Sequence, residues 1–156
     1  RALMEALPLA QARADRAQGR LGLLFIDLDG FKAVNDQLGH DGGDALLQAI
    51  AARLRQAVRR TDSVFRLAGD EFTVLLADMS DGLHEAHRVG RKLVEAISAP
   101  VELCGATVRV GASIGIAVQT PERAPTPEEL IKEADHWMYE AKKAGRGCVL
   151  PLPSAL

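Results

Sequence analysis

Two back-to-back pairs of apolar runs restrict this chain more than any other feature. The stretch FRLAGDEFTVLL, Phe65 to Leu76, sets apolar segments on either side of a glycine and two acids. So short a link between extended segments closes as an antiparallel turn. The pattern predicts strands near 64–67 and 72–77, joined over Ala68–Glu71. A second hairpin is predicted from VELCGATVRVGASIGIAVQ, turning at Gly105–Ala106, with its return strand running on to about residue 118. Upstream, RLGLLFIDLD reads as a buried strand over roughly 21–27, and GCVLP as a last short strand. A doubly wound parallel sheet needs strands and helices to alternate, and two hairpins break that order. The expectation is an α+β domain, a mostly antiparallel central sheet flanked by helices.

The intervening segments carry helical periodicity. Residues 2–18 are Ala-rich and read as a helix that Pro8 interrupts. GFKAVNDQLG reads as a short helix stopping near Gly39. In the stronger helix that follows, Leu47, Ile50, Leu54 and Ala57 recur at helical spacing, and Asp41 and Asp44 favour its positive start. A third helix ends before Pro100. A fourth is capped by Thr126, has Pro127 at its first position and stops at Gly145, with an apolar stripe of Leu130, Ala134, Trp137 or Met138, and Ala141.

Composition removes several functional classes. A chain of 156 residues suits one domain, 1–150, with a tail or the start of a linker over 151–156. Its net charge of −2 exerts no general pull on nucleic acid or an anionic membrane, so any phosphate ligand must be held by local groups. No apolar run reaches the length of a membrane span. Cys104 and Cys148 lack metal-ligand spacing and read as reduced thiols of a cytoplasmic protein. The abrupt start and the PLPSAL ending suit one domain of a longer chain, with sensor or effector domains outside it.

The acids carry the chemistry. Asp27 and Asp29 follow a buried strand, and Asp70 and Glu71 sit at a hairpin turn. If the two strands are neighbours, these carboxylates meet at one sheet edge, where they repel unless a cation intervenes. Hard oxygen donors with open positions suit Mg²⁺, which shares its shell with substrate phosphates. The pattern points to metal-assisted phosphoryl or nucleotidyl transfer. Lys32 can neutralise a phosphate, Asn35 offers a donor and an acceptor to a base edge, and Asp44 can accept a pair of N–H bonds, as a guanine edge donates. Each of these residues also has an ordinary use, as a solvated charge, a turn former and a helix-start acid. Their joint occurrence is what favours a site.

Four segments in fixed order, DLDGFKAVNDQLGHDGGDALL, DSVFRLAGDEFTVLL, ASIGIAV and ADHWMYEAKKAGR, resemble the diguanylate cyclase (GGDEF) family from Arg1 to about Val149. The resemblance implies a fold like the palm of polymerases and the class III nucleotide cyclases, with a ferredoxin-like core. It implies that two domains meet, each with one GTP, and form cyclic di-GMP and pyrophosphate. Asp27, the carbonyl of Leu28 and Asp70 then match the ligands of two Mg²⁺ ions per GTP, for which Mn²⁺ can substitute. Glu71 matches the acid that assists deprotonation of the 3′-OH. Adjacent acids on an extended chain point to opposite sides, which would give them different roles. Gly30, Phe31 and Lys32 match the cradle of the β- and γ-phosphates, beside Gly69 in the turn. Asn35 and Asp44 match the guanine-reading pair, and Lys142 and Arg146 the cations on the terminal phosphate.

Arg59 and Asp62 stand at the spacing of the family's RxxD product-inhibition site, with Arg88 or Arg91 as a second contact to cyclic di-GMP. His40 is expected to hydrogen-bond the loop presenting Asp44, and His84, His87 and His136 to be solvated helix residues. One position departs from the family signature. Residue 68 is Ala where the family has Gly, so the motif reads AGDEF. That change is harmless if φ at 68 is negative and strained if it is positive. It also keeps open a catalytically weak GTP- or cyclic di-GMP-binding domain that regulates an attached partner.

Overall fold

A computed structural model describes residues 2–154. Residue 1 of the expected domain and residues 155–156 of the expected tail lie outside the described residues. The elements run α1 (Ala2–Arg16), β1 (Arg20–Asp29), α2 (Phe31–Ala57), β2 (Ser63–Arg66), β3 (Glu71–Met79), α3 (Leu83–Ser98), β4 (Val101–Leu103), β5 (Ala106–Val108), β6 (Gly111–Gln119), α4 (Pro127–Lys143) and β7 (Val149–Leu150). The central sheet has the order β2-β3-β1-β6-β7. Every neighbouring pair in it is antiparallel except β6–β7.

The pleat of β1 divides the core in two. Leu24, Ile26 and Leu28 face one side, with Leu46, Ile50 and Leu54 of α2 and Leu93 and Ile97 of α3. Leu21, Leu23 and Phe25 face the other, with Leu3 and Leu7 of α1 and Leu130, Ala134 and Met138 of α4. Asp27 continues the second row by alternation, so its carboxylate emerges on the α4 side. No helix among the described residues is long and apolar enough to cross a membrane.

Gly115 sets how closely α4 lies on the sheet. A Cβ there would stand 2.1 Å from both the Ala134 carbonyl oxygen and the Met138 nitrogen. Only glycine lets the helix backbone approach the strand this closely. Thr126 caps α4 in a capping box, accepting from the Glu129 nitrogen at 3.1 Å while Glu129 accepts from the Thr126 nitrogen at 2.8 Å. Hydrogen bonding to the Thr126 backbone, and then to its side chain, holds the Glu129 carboxyl below its usual pKa.

Two local expectations need correction, and one about α2 holds. Pro8 does not interrupt α1, because Leu3, Leu7 and Gln11 bury one face across it and hold both halves in register. The two helices expected over 30–60 are the two arms of α2, and the first stops where expected, at Gly39, whose φ of 78° and ψ of 178° are not helical. The second hairpin does not enter the main sheet as one long return strand. It turns at Cys104–Gly105, where φ is 52° and 76°, and β4–β5 form a separate two-stranded sheet. The chain then breaks pairing and rejoins the centre as β6.

Candidate functional site

The end of β1 and the β2–β3 turn form one edge. Asp27 lies opposite Glu71 in the antiparallel register, and the Leu28 nitrogen donates to the Asp70 carbonyl at 3.2 Å. These contacts bring residues more than forty apart in sequence to one place. The turn is closed by Glu71 N–H to the Ala68 carbonyl at 3.0 Å and by Leu67 N–H to the Glu71 carbonyl at 2.9 Å. Arg66 steadies it through Nε to the Gly69 carbonyl at 3.2 Å.

Gly69 carries the left-handed conformation of this turn, with φ of 54°. Ala68 is not among the residues with positive φ, and it is exposed. The methyl group of Ala68 therefore meets neither backbone strain nor crowding.

The edge holds surplus negative charge. Burial, and then the charge of Asp27, push the Asp70 carboxyl above its ordinary pKa. Glu71 is raised by burial and then by Asp27, with Asp135 of α4 and Asp70 adding to it. Adjacent position in sequence does not separate the two acids, as strand alternation had suggested. Asp70 lies in the turn rather than in β3, so both feel Asp27. The cation within reach is Lys142 of α4, whose Nζ bonds Asp27 Oδ2. The side chain of Asp27 is 8% exposed. Lys142 thus sits on a carboxylate here, whereas the family resemblance implied a place on the terminal phosphate.

Asp29 has a different task. Its carboxylate accepts from Ser113 Oγ, 3.0 Å from each oxygen, and from the Gly147 nitrogen at 3.2 Å. It ties the loop carrying Arg146 to the sheet. Arg146 itself is exposed in that loop, with φ of 67°.

The chain turns from β1 into α2 at Gly30, whose φ is 85°. Phe31 and the exposed Lys32 open the helix, so its unpaired amides lie next to the acidic edge. Asn35 and Asp44 lie on the two arms of the kinked helix. Gly43 brings these arms together, because a Cβ there would stand 2.2 Å from Asn35 Oδ1 and 3.3 Å from Phe31 Cζ. Sequence reasoning missed this role, although a glycine pair inside a strong helical pattern was the available signal. Asp44, next to Gly43, is exposed. His40 is exposed and makes no side-chain hydrogen bond among the described residues, and the segment presenting Asp44 is the start of the second helical arm, set by the bend at Gly39.

The Arg59–Asp62 pair occupies a separate corner. Arg59 Nε and Nη2 each lie 3.2 Å from an Asp62 oxygen, a forked pairing. Asp62 also accepts from the Arg59 nitrogen at 2.9 Å and the Ala77 nitrogen at 3.1 Å, while Arg59 Nη2 bonds the Ala77 carbonyl. Hydrogen bonding to Asp62 raises the Arg59 pKa above its already high value. Arg88 and Lys92 of α3 line the same cleft with Arg59. Arg91 does not line it, and instead borders the groove with His87, Glu95 and Leu152. His87 is not simply solvated: it is half-buried, its Nε2 3.0 Å from the Val149 carbonyl. Both cysteines are free, Cys104 exposed and Cys148 half-buried, with burial raising the Cys148 thiol pKa.

Comparison with known proteins agrees with this geometry. The family model described as diguanylate cyclase, GGDEF domain, matches residues 1–148. The chain is 45% identical over 142 residues to diguanylate cyclase TpbB of Pseudomonas aeruginosa strain UCBPP-PA14, a match covering 89% of this chain and 32% of that protein. It is 42% identical over 132 residues to the cyclic di-GMP phosphodiesterase NbdA of Pseudomonas aeruginosa PAO1, covering 84% of this chain and 16% of that protein. The chain thus spans about a third or less of the length of these curated relatives. The crystal structure of the GGDEF domain of YfiN, or TpbB, from Pseudomonas aeruginosa superposes with a TM-score of 0.88 at 42% identity, covering 98% of this chain and 96% of that one.

Proposed function

The chain belongs to the diguanylate cyclase, GGDEF domain, family, and on that premise we propose that it condenses two GTP molecules into cyclic di-GMP. The observation that carries this reading is the surplus of carboxylates at the edge formed by Asp27, Asp70 and Glu71, next to the start of α2. Such a donor set suits a hard divalent cation, Mg²⁺ or Mn²⁺, held by Asp27, Asp70 and the Leu28 carbonyl. When bound, the cations would draw charge from the triphosphate and the attacking oxygen.

The chain's own groups do the rest. Amides from Gly30 onward, with Lys32, receive the β- and γ-phosphates, and Lys142 and Arg146 close on the terminal phosphate. Asn35, packed against Gly43, and Asp44, the exposed residue next to that glycine, read the guanine edge. Glu71, with its raised pKa, is a suitable acceptor for the 3′-OH proton. The 3′-oxygen then bonds to the α-phosphorus of the partner domain's GTP, and the bond to the bridging oxygen breaks to release pyrophosphate. Two domains are required, because each GTP supplies one nucleophile and one electrophile. The reaction places the domain in the cytoplasm, where GTP is available. Cyclic di-GMP returns as an inhibitor at the Arg59–Asp62 corner, with Arg88 as a further contact.

A second reading is favoured by the likeness to NbdA, a protein named for the opposite activity. In that reading the domain binds GTP or cyclic di-GMP and regulates an attached catalytic domain. Incubating the domain with GTP and Mg²⁺, alone and fused to a dimerising segment, and assaying for cyclic di-GMP separates the two. Product from the forced dimer supports the cyclase. GTP binding without product in either form supports the regulatory domain.

A further inference from the structure

We propose that Lys142 acts as an internal placeholder cation, holding Asp27 until a divalent ion displaces it. The proposal rests on the metal site described under the proposed function. Three observations support it.

Asp27 is nearly buried at the end of a core strand, and a buried carboxylate without a partner is costly. The partner it has is Lys142. Lys142 cannot be a chance visitor, because its backbone is fixed. Ala141 beside it is fully buried, and α4 is seated on the sheet through the close approach at Gly115. Its side chain, by contrast, is 31% exposed. An ammonium on a four-carbon stem can leave one anion for another without movement of the helix.

The consequence is a competition. A divalent ion approaching Asp27 must first break an existing ion pair, so metal alone binds weakly. Once displaced, Lys142 faces the place where a triphosphate would lie, and a nucleotide gives it a new anion. Metal and nucleotide then favour each other's binding by the same factor. The domain thereby avoids holding a metal ion without its substrate.

The test is Mn²⁺ binding to the nucleotide-free domain, followed by the electron paramagnetic resonance signal of free Mn²⁺. Lys142→Met and Lys142→Gln are compared with Lys142→Arg and the unaltered chain. Removing the charge is expected to tighten Mn²⁺ binding by about tenfold or more, since an opposing charge within a few ångströms is lost. Lys142→Arg, which keeps the charge, is expected to bind Mn²⁺ as weakly as the unaltered chain. Thermal melts supply a second readout: Lys142→Gln melts lower without metal and gains more from Mg²⁺ than the unaltered chain does. Affinities within twofold across the neutral variants would overturn the proposal. So would a Lys142→Arg protein that binds as tightly as they do. Asp27→Asn separates this failure from failure of the site itself. If Asp27→Asn binds Mn²⁺ like the unaltered chain, the metal site and the competition fall together. If it loses Mn²⁺ while the neutral Lys142 variants gain nothing, only the competition falls.

Discussion

Two corners of this domain use the same residue types to opposite ends. At the Arg59–Asp62 corner the carboxylate is balanced: Asp62 is 3% exposed and receives two backbone N–H groups and a forked guanidinium. At the Asp27–Asp70–Glu71 edge the acids outnumber the cation that meets them, and two carboxyls are held above their ordinary pKa. The first corner has already satisfied its charge and serves as a joint between the end of α2 and β3. The second is left in electrostatic debt, which is the condition under which a cation and a polyphosphate bind. A carboxylate's neighbours, more than its identity, separate a structural acid from a chemical one.

Substitution can break this contrast most severely at the edge. Asp70→Ala should reduce Mg²⁺-supported GTP turnover on the order of 100-fold or more, as expected for losing a group that stabilises transition-state charge. Circular dichroism should remain unchanged, because Asp70 lies in a turn. Unaltered turnover would remove Asp70 from the site.

At the balanced corner the large effect should fall on stability instead. Asp62→Ala leaves the amides of Arg59 and Ala77 without their acceptor and should cost about 1–3 kcal/mol, measured by urea unfolding. Arg59→Ala keeps those amides paired. It should lower cyclic di-GMP affinity about tenfold while sparing GTP, the size expected for one charge-assisted contact. If Asp62→Ala costs nothing, the corner is not the closed joint described above.

Smaller effects sharpen the comparison through pH. Asp70 and Glu71 have raised pKa values in the folded state, so the folded chain binds more protons than the unfolded chain as pH passes through that window. Their ionisation therefore subtracts stability, and the loss grows as pH rises above the ordinary carboxylate values of 3.8 and 4.5. Without metal, Asp70→Asn should melt slightly higher than the unaltered chain at pH 7, by no more than about 2 °C for a domain of this size. The difference should vanish below pH 4 or when Mg²⁺ is added. Both groups are only partly buried, so solvent screening keeps the effect small. A lower melting point at pH 7 would reverse the assigned sign. Ala68→Gly should change turnover by less than about twofold, because φ at 68 is already one that alanine accepts.

The distinction between the corners was only partly legible in the sequence. The acids at Asp27 and Asp70 stood out because each follows or precedes an apolar run, which fixes it at a strand end. Burial of Asp62 left no local trace, since its partner Ala77 lies fifteen residues away across a turn. Lys142 on Asp27 was equally hidden. That contact depends on how near α4 approaches β6, which is decided by Gly115 and not by periodicity. The second hairpin shows the same limit. Val108, Val110, Ala112, Ile114 and Ile116 alternate without a break and all join one core, so nothing in the pattern marks where pairing with β4 stops. Alternation reveals which face is buried, while partner choice depends on the rest of the chain. Residue 68 could be settled only by its backbone angle.

Crystals of the domain grown with Mn²⁺ and a non-hydrolysable GTP analogue, measured at the manganese absorption edge, put the shared-cation site to trial. An anomalous peak is expected within about 2.2 Å of carboxylate oxygens from both Asp27 and Asp70, with Lys142 moved from Asp27 onto the phosphates. A peak that touches only one of these residues, or lies at another group of acids, would contradict the shared-cation site.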